Sequence, residues 1–385
     1  MKTYKNLYSK ALSDEVIDEA FRVAIKRKRL RPSVDYIIRH YDKCKTRIKE
    51  FIQNGDFRPF IHKAVEINDG FKLKKRTIIQ PYFSPRRPEQ WLQHIVVQIL
   101  KPIFLKGMYV YSCGSVPERG VHYGKKHLEK FIKTHPKEIR YVLKADIHHF
   151  YDNVNTNLIK ERLKTIIKDE KFLKIVFFVL DSNIGIKKDG TIFRPGLPIG
   201  FYTSQWFANW FLQPFDHYIK EELKVPFYMR YMDDIVLFGS NKRELHKVRK
   251  KIEEFLAGID LELKGNWQIF PFDYIDKNGV HHGRFIDFMG FKFYRDKTTI
   301  RKSIFLRACR LARRLKKKLN ISWFDACRML SYLGWFCPTD TFNAYKKYIE
   351  PNINIEVCKK LVSKHDRRLK NASNLQRSRG RNKAA

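Results

Sequence analysis

The chain has 385 residues, enough for about two or three subdomains, and its 78 Lys and Arg against 40 Asp and Glu give a net charge of +38. Charge of that size along the whole chain, with 14% aromatic residues among it, suits a nucleic-acid channel better than a membrane-surface helix. Cys44, Cys113, Cys309, Cys327, Cys337 and Cys358 show neither Cys-x-x-Cys pairs nor paired His spacing, so they support no zinc site and no disulfide framework. No apolar run is long enough to span a bilayer, and Met1-Lys-Thr-Tyr-Lys-Asn6 lacks the apolar stretch of a signal peptide. We therefore expect a cytoplasmic protein with no membrane partner.

Residues 1–59 read as a helical extension. Val16, Ile17, Ala20, Phe21, Ala24 and Ile25 recur at helix spacing after Ser13, and Ile37, Ile38, Tyr41, Ile48, Phe51 and Ile52 repeat the pattern up to Asn54-Gly55. Between them lies the basic cluster from Lys26 to Arg31, broken by Pro32, which is either a solvated face or a grip on RNA. From Phe60 to Ile79 the pattern is strand-like around a turn at Asn68-Asp69-Gly70, and the second run places Lys72, Lys74 and Arg76 on one face. A helix follows from Trp91 to near Pro102. Tyr111 to Gly120 is a glycine-rich connection, but not a phosphate loop, because it lacks the Gly-Lys-Ser/Thr ending. A helix over about 124–134 leads to the strand Arg140–Asp146, and one helical segment over about 155–181 leads to a hairpin turn at Asp189-Gly190.

Gly196-Leu-Pro-Ile-Gly-Phe-Tyr-Thr-Ser-Gln205 precedes a helix expected from Trp206, with Gly200 allowing close backbone approach, Ser204 as its cap and Pro214 at its end. Phe227 to Phe238 reads as strand, tight turn, strand, with Asp233 and Asp234 on the tip. A helix through Leu245, Val248, Ile252 and Phe255 reaches Gly258, and strand-like runs flank Gly265. Phe285 to Tyr294 alternates aromatics around Gly290. Residues 301–385 hold 22 Lys and Arg and five acids, too few carboxylates for a ribonuclease H site. They read as helices over about 303–319, 322–334 and 340–349, with a polar, basic tail from 371 that we expect to be disordered without RNA.

The chemistry rests on three acids. Two adjacent carboxylates on a hairpin tip repel unless cations sit between them, and Mg²⁺ prefers carboxylate and phosphate oxygen. Adjacent acids also occur on ordinary turns, but here Asp146 closes a second strand-like run. Three carboxylates at the ends of two strands suit a two-metal site that activates a 3′-hydroxyl and steadies a displaced phosphoryl group.

At these residues the sequence resembles the reverse transcriptases. Asp146 followed five positions later by Tyr151 matches their first catalytic block, and Tyr231-Met-Asp-Asp234 matches their Tyr-x-Asp-Asp. The family's Gln-Gly-x-x-x-Ser-Pro block stands here as Ile199-Gly200-x-x-x-Ser204-Gln205, a form that resembles the diversity-generating retroelement branch, whose enzymes copy RNA with errors at adenines. The family's Asp-Arg pair is replaced by Glu89-Gln90, to which we assign no role.

The resemblance implies an α/β right-hand polymerase fold with an antiparallel palm sheet. It divides the chain into the helical extension over 1–59, fingers and palm over 60–300, a basic helical thumb over 301–370 and the tail over 371–385. It further implies that Asp146, Asp233 and Asp234 are catalytic and hold two Mg²⁺ ions, with Mn²⁺ able to substitute. Lys74, Arg76, Tyr151, Ile199, Gly200 and Lys264 would bind nucleotide, Tyr151 excluding the ribose 2′-hydroxyl and Lys264 acting as general acid for pyrophosphate. Ser204, Gln205, Tyr231, Met232, Met289 and Gly290 would contact template or primer, the last two on a primer-grip hairpin. The implied partners are an RNA template, a DNA or RNA primer, dNTPs and a small basic accessory protein, in a bacterial or phage-encoded enzyme. A domesticated or phage-defence reverse transcriptase and a maturase-like RNA-binding protein are the alternatives.

Overall fold

The computed structural model describes residues 3–26, 28–29, 31–55, 57–69 and 74–381. These fall into two compact units, one formed by 1–127 with 137–270, the other by 128–136 with 271–385.

The first unit opens with four helices, α1 (Leu7–Leu12), α2 (Asp14–Ala24), α3 (Pro32–Arg39) and α4 (Tyr41–Asn54). Ser13 caps α2 by accepting the Val16 amide, and Gly55 ends α4 in a left-handed turn at φ 68°. A hairpin pairs β1 (Ile61–Asp69) with β2 (Lys74–Ile79), and α5 (Glu89–Leu105) follows. Trp91, Leu92, Ile95, Val96, Ile99, Leu100, Ile103 and Phe104 are all buried, so α5 is apolar on nearly every side and must run through the core. The N-terminal helices lie against it: Phe21 packs 4.7 Å from the Trp91 ring, whose Nε1 donates to the Ile17 carbonyl at 2.9 Å. They therefore share one core with α5.

Next come β3 (Ser112–Cys113), α6 (Val121–Thr134), β4 (Tyr141–Asp146), α7 (Phe150–Asn153), α8 (Thr156–Ile166), α9 (Glu170–Asp181), β5 (Ile184–Ile186), β6 (Ile192–Phe193), α10 (Tyr202–Phe211), α11 (Gln213–His217), β7 (Phe227–Tyr231), β8 (Asp234–Gly239), α12 (Lys242–Ala257) and β9 (Gln268–Pro271). The helix expected over 155–181 is two, because Asp169 caps a new start by accepting the Phe172 amide at 3.1 Å. One sheet runs β2-β1-β5-β6, with β1 parallel to β5, a pairing the sequence pattern did not suggest. The other runs β3-β7-β8-β4-β9.

The second unit contains the short pair β10 (Tyr274–Ile275) and β11 (His281–His282), the sheet β12 (Ile286–Phe288), β13 (Phe291–Phe293) and β14 (Thr298–Ile300), and helices α13 (Lys302–Lys316), α14 (Trp323–Phe336), α15 (Phe342–Tyr348) and α16 (Ile355–Arg381). The division at Pro271 differs from the expected boundary at 300. β12, β13 and β14 form a sheet of their own, the Thr298 amide donates to Asp340 Oδ2 at 2.8 Å, and a side chain on Gly290 would meet the Trp335 ring at 2.7 Å, so this sheet is built into the helical unit. The tail also differs: α16 continues to Arg381, because nothing between Ile355 and Gly380 is a proline or glycine that would stop it. Among the described residues, no helix is long and apolar enough to cross a membrane.

Candidate active site

Antiparallel pairing of β4 with β8 places the end of one strand beside the start of the other, so Asp146 stands directly opposite Asp234. Tyr231 pairs with Asp234 across the β7-β8 hairpin, leaving Met232 and Asp233 as its two-residue turn. The Ile147 amide donates to the Asp233 carbonyl at 3.2 Å, which ties that turn to the end of β4. Like charges opposite one another oppose strand pairing, so this edge is held together against its own electrostatics. Burial, then Asp146, push the Asp233 carboxyl up from 3.8 to about 7, and a hydrogen bond between the two side chains contributes. Among the described residues no set of three His, Cys, Asp or Glu side chains closes into a ligand cage. The donor set is nonetheless all oxygen, with Asp146 directly opposite Asp234 and Asp233 on the adjoining turn, which fits a hard divalent ion.

Other expected residues converge here. Lys264 donates its amide to the Asp146 carbonyl at 2.8 Å and holds its ammonium 3.6 Å from Asp146 Oδ2. The Tyr151 hydroxyl is held well above its usual range by burial and then by Asp233, while Arg76 acts on it in the opposite sense, so both charges lie within its electrostatic reach. The Tyr151 carbonyl accepts the Leu197 amide at 2.7 Å, fastening the Gly196–Gln205 block to α7. A Cβ on Gly200, at φ 116°, would sit 2.3 Å from the Ile79 carbonyl oxygen. Only glycine lets this block lie against β2, and the Ile199 carbonyl accepts the Ile79 amide at 3.0 Å alongside.

Some expectations change. Ser204 does not cap: α10 starts at Tyr202, and buried Ser204 donates its hydroxyl to the Pro198 carbonyl at 2.7 Å, so it holds the block together and does not reach outward. Gln205 is exposed. Lys72 lies outside the described residues, and Lys74 enters only as the first residue of β2. Met289 and Gly290 form the turn between β12 and β13, with Phe288 opposite Phe291, a hairpin of the second unit. Glu89, given no role, is buried and accepts from the Tyr82 amide at 2.9 Å and Arg87 Nε at 3.0 Å beside His62, a fixture of the fold.

What sequence reasoning missed lies beneath the turn. Arg230 is fully buried; its Nε and Nη2 donate to Asp216 Oδ1 and Oδ2 at 2.8 and 2.6 Å, and the Tyr228 hydroxyl donates to the same carboxylate at 2.8 Å. Burial alone would lower the Arg230 pKa, but Asp216 outweighs it and keeps the guanidinium charged. From this anchor Nη1 donates to the Met232 carbonyl at 2.9 Å and to Asn209 Oδ1 at 3.2 Å, and Nη2 to Ser112 Oγ at 2.8 Å. Met232 needs holding, since its φ of 57° is a left-handed conformation that costs a non-glycine residue about 1 kcal/mol or more. Its amide is also fixed, donating to the Cys113 carbonyl at 3.2 Å. The available signal was an arginine in the middle of an apolar strand.

Residues 88–268 match the family described as Reverse transcriptase (RNA-dependent DNA polymerase). Over this segment the chain is similar to the reverse transcriptases. All three carboxylates, Tyr151, Gly200 and Lys264 lie within the matched segment, whereas Arg76 and residues 271–385 lie outside. The chain is 22% identical over 182 residues to Protein YkfC of Escherichia coli (strain K12), which covers 45% of each, so it spans less than half of that relative. Among solved structures it is similar to a telomerase from Candida albicans in complex with a TWJ fragment of telomeric RNA. That match has 13% identity and a TM-score of 0.48 and covers 77% of this chain and 56% of that one. A telomerase from Candida tropicalis, in complex with the same kind of fragment, gives 15%, 0.47, 74% and 53%.

Proposed function

We propose that this protein is an RNA-directed DNA polymerase that extends a primer by nucleotidyl transfer, with fingers, palm and thumb arranged as in a right hand. The observation that carries this reading is the crowded carboxylate edge of Asp146, Asp233 and Asp234 inside the segment similar to the reverse transcriptases. These three side chains would hold the divalent ions, Mg²⁺ by the hardness of the donors, and the ions would supply the charge that activates the 3′-hydroxyl and neutralises the departing pyrophosphate. The chain's own part is positioning. Tyr151 would exclude a 2′-hydroxyl by its bulk, Arg76 and Lys74 would receive the triphosphate, Gly200 would serve the nucleotide site by letting its block lie against β2, and Lys264 would give a proton to the leaving group. Gln205 and Tyr231 would face template or primer, Met232, whose side chain is buried, would contribute through its backbone, and Met289-Gly290 would serve as the primer grip. The net charge of +38 suits a long phosphate track for RNA template and primer.

We further propose the diversity-generating branch, with a small basic accessory protein as partner, because Ile199 replaces the glutamine that in relatives can hydrogen-bond the incoming sugar. The test is extension of a primer on a defined RNA template with dNTPs and Mg²⁺, followed by sequencing of the cDNA. Template-dependent product with errors concentrated at adenines is expected. No RNA-templated product would remove the polymerase reading, and an even error spectrum would remove the branch.

A further inference from the structure

Glu89 gathers more of the chain than its own helix needs. It is 4% exposed, at the first residue of α5. Its Oε1 accepts from Arg87 Nε at 3.0 Å, and its Oε2 accepts from the Tyr82 amide at 2.9 Å and lies 2.5 Å from His62 Nε2. His62, on β1, is buried too, and its Nδ1 stands 3.2 Å from the Ile184 carbonyl of β5. A carbonyl can only accept, so Nδ1 donates. Arg87 reaches β1 by a second route, its Nη2 donating to the Ile61 carbonyl at 3.1 Å. One carboxylate thus ties together β1, β5, the Tyr82 segment and α5. A buried polar network with its members satisfied rigidifies its surroundings and specifies a single arrangement.

The same face of α5 also holds the Gly196–Gln205 block. Gln93 follows Glu89 by four residues, one helical turn on, and its buried Oε1 accepts the Tyr202 amide at 2.9 Å. The His62 ring meets the Phe201 ring edge-on, with centroids 5.2 Å apart. Glu89 therefore holds β1, Gln93 holds the block, and His62 touches both. β1 passes its placement to β2 through the register, with Ala64 opposite Ile79 and Ile67 opposite Arg76.

We propose that Glu89 and His62 are positioning residues for nucleotide addition, setting how far Arg76 stands from the block that carries Ile199 and Gly200. This role rests on the polymerase reading for what lies between those two sides. Neither side chain touches the nucleotide; each acts through the strand it holds.

The test is steady-state primer extension on the full chain with kcat and KM for dNTP separated, alongside hydrogen exchange and melting without substrate. In Glu89→Gln the amide can turn two ways, and either leaves its NH2 facing a donor, Arg87 Nε in one and the Tyr82 amide in the other. KM should rise about tenfold with kcat within about twofold, as when binding is lost equally from ground and transition states. In an Arg76→Ala background the same substitution should raise KM less than about twofold, because the cation being placed is gone. Arg87→Lys keeps a charge beside Glu89 but gives up the fork to the Ile61 carbonyl, and should raise KM about threefold in a chain that melts like the parent. Exchange over 61–67 and 76–82 should quicken about tenfold in Glu89→Gln while α12 is unchanged. A fall in kcat with KM unchanged, or the same KM rise with and without Arg76, would reduce the network to a fold element and overturn the proposal. Failure of the polymerase reading looks different: the parent then extends no primer, while exchange still shows whether Glu89 holds the hairpin.

Discussion

Three residues apart on one hairpin, this protein treats charge in opposite ways. At Arg230 a full positive charge is completely buried, and each guanidinium nitrogen has a named acceptor, chiefly Asp216 at 2.6 and 2.8 Å. At Asp233 a partly buried carboxyl faces two others, and burial, then Asp146, push its pKa up to about 7. The first arrangement is electrostatically satisfied, and it fixes the carbonyl of Met232, the strained residue on which Asp233 is hung. The second is left unsatisfied. Uncompensated charge is tolerable at a strand end only because the structure underneath is over-determined, and it is where chemistry belongs.

The contrast is broken most severely at the unsatisfied end. Asp233→Ala should lower primer extension by about a thousandfold or more, as loss of a central electrostatic group in a site does, while RNA affinity by filter binding stays within about twofold because the +38 surface is untouched. Arg230→Met attacks the satisfied end. It leaves Asp216 buried and unpaired, and a denaturant titration should show about 3–5 kcal/mol of lost stability. The double change Arg230→Met with Asp216→Leu should recover much of that stability but not the extension rate, since the Met232 carbonyl stays unheld. A double variant as active as the parent would reduce the ion pair to a fold element.

Smaller effects sharpen the comparison. Tyr151→Ala should raise the ratio of ribonucleotide to deoxynucleotide incorporation roughly tenfold, the order of discrimination a single steric contact gives. Melting curves without divalent metal should show a pH effect at Asp233. Its folded carboxyl holds a proton up to about 7 whereas an unfolded one releases it near 3.8, so the stability from that proton is complete below pH 3.8 and lost as pH rises through about 7. The melting advantage of Asp233→Asn should therefore grow between those values and level off above them. The smallest change expected is in fidelity: Ile199→Gln adds one polar contact on the order of 1 kcal/mol, about fivefold in nucleotide selection. It should lower misincorporation opposite template adenine, read by cDNA sequencing.

The places of the three carboxylates were legible from the sequence because strand patterns are local: an acid closing one β-run and two acids on a turn need no knowledge of the fold, whereas Tyr151 was singled out by resemblance alone. The helices of both ends were legible for the same reason, their apolar residues returning at helix spacing. What the tertiary structure alone decided are the relations that cross the chain. That Asp146 faces Asp234 depends on β4 lying antiparallel to β8, which no local pattern states. That Ser204 turns inward depends on where the Pro198 carbonyl lies, and that Arg230 is core depends on Asp216, an acid from another element. The sheet of β12, β13 and β14 joined the helical unit because Gly290 lies under Trp335, a contact 45 residues distant in sequence. Local periodicity reports which face of an element is apolar, but burial of a charge or a glycine is worth its cost only against a partner, and the partner is supplied by topology.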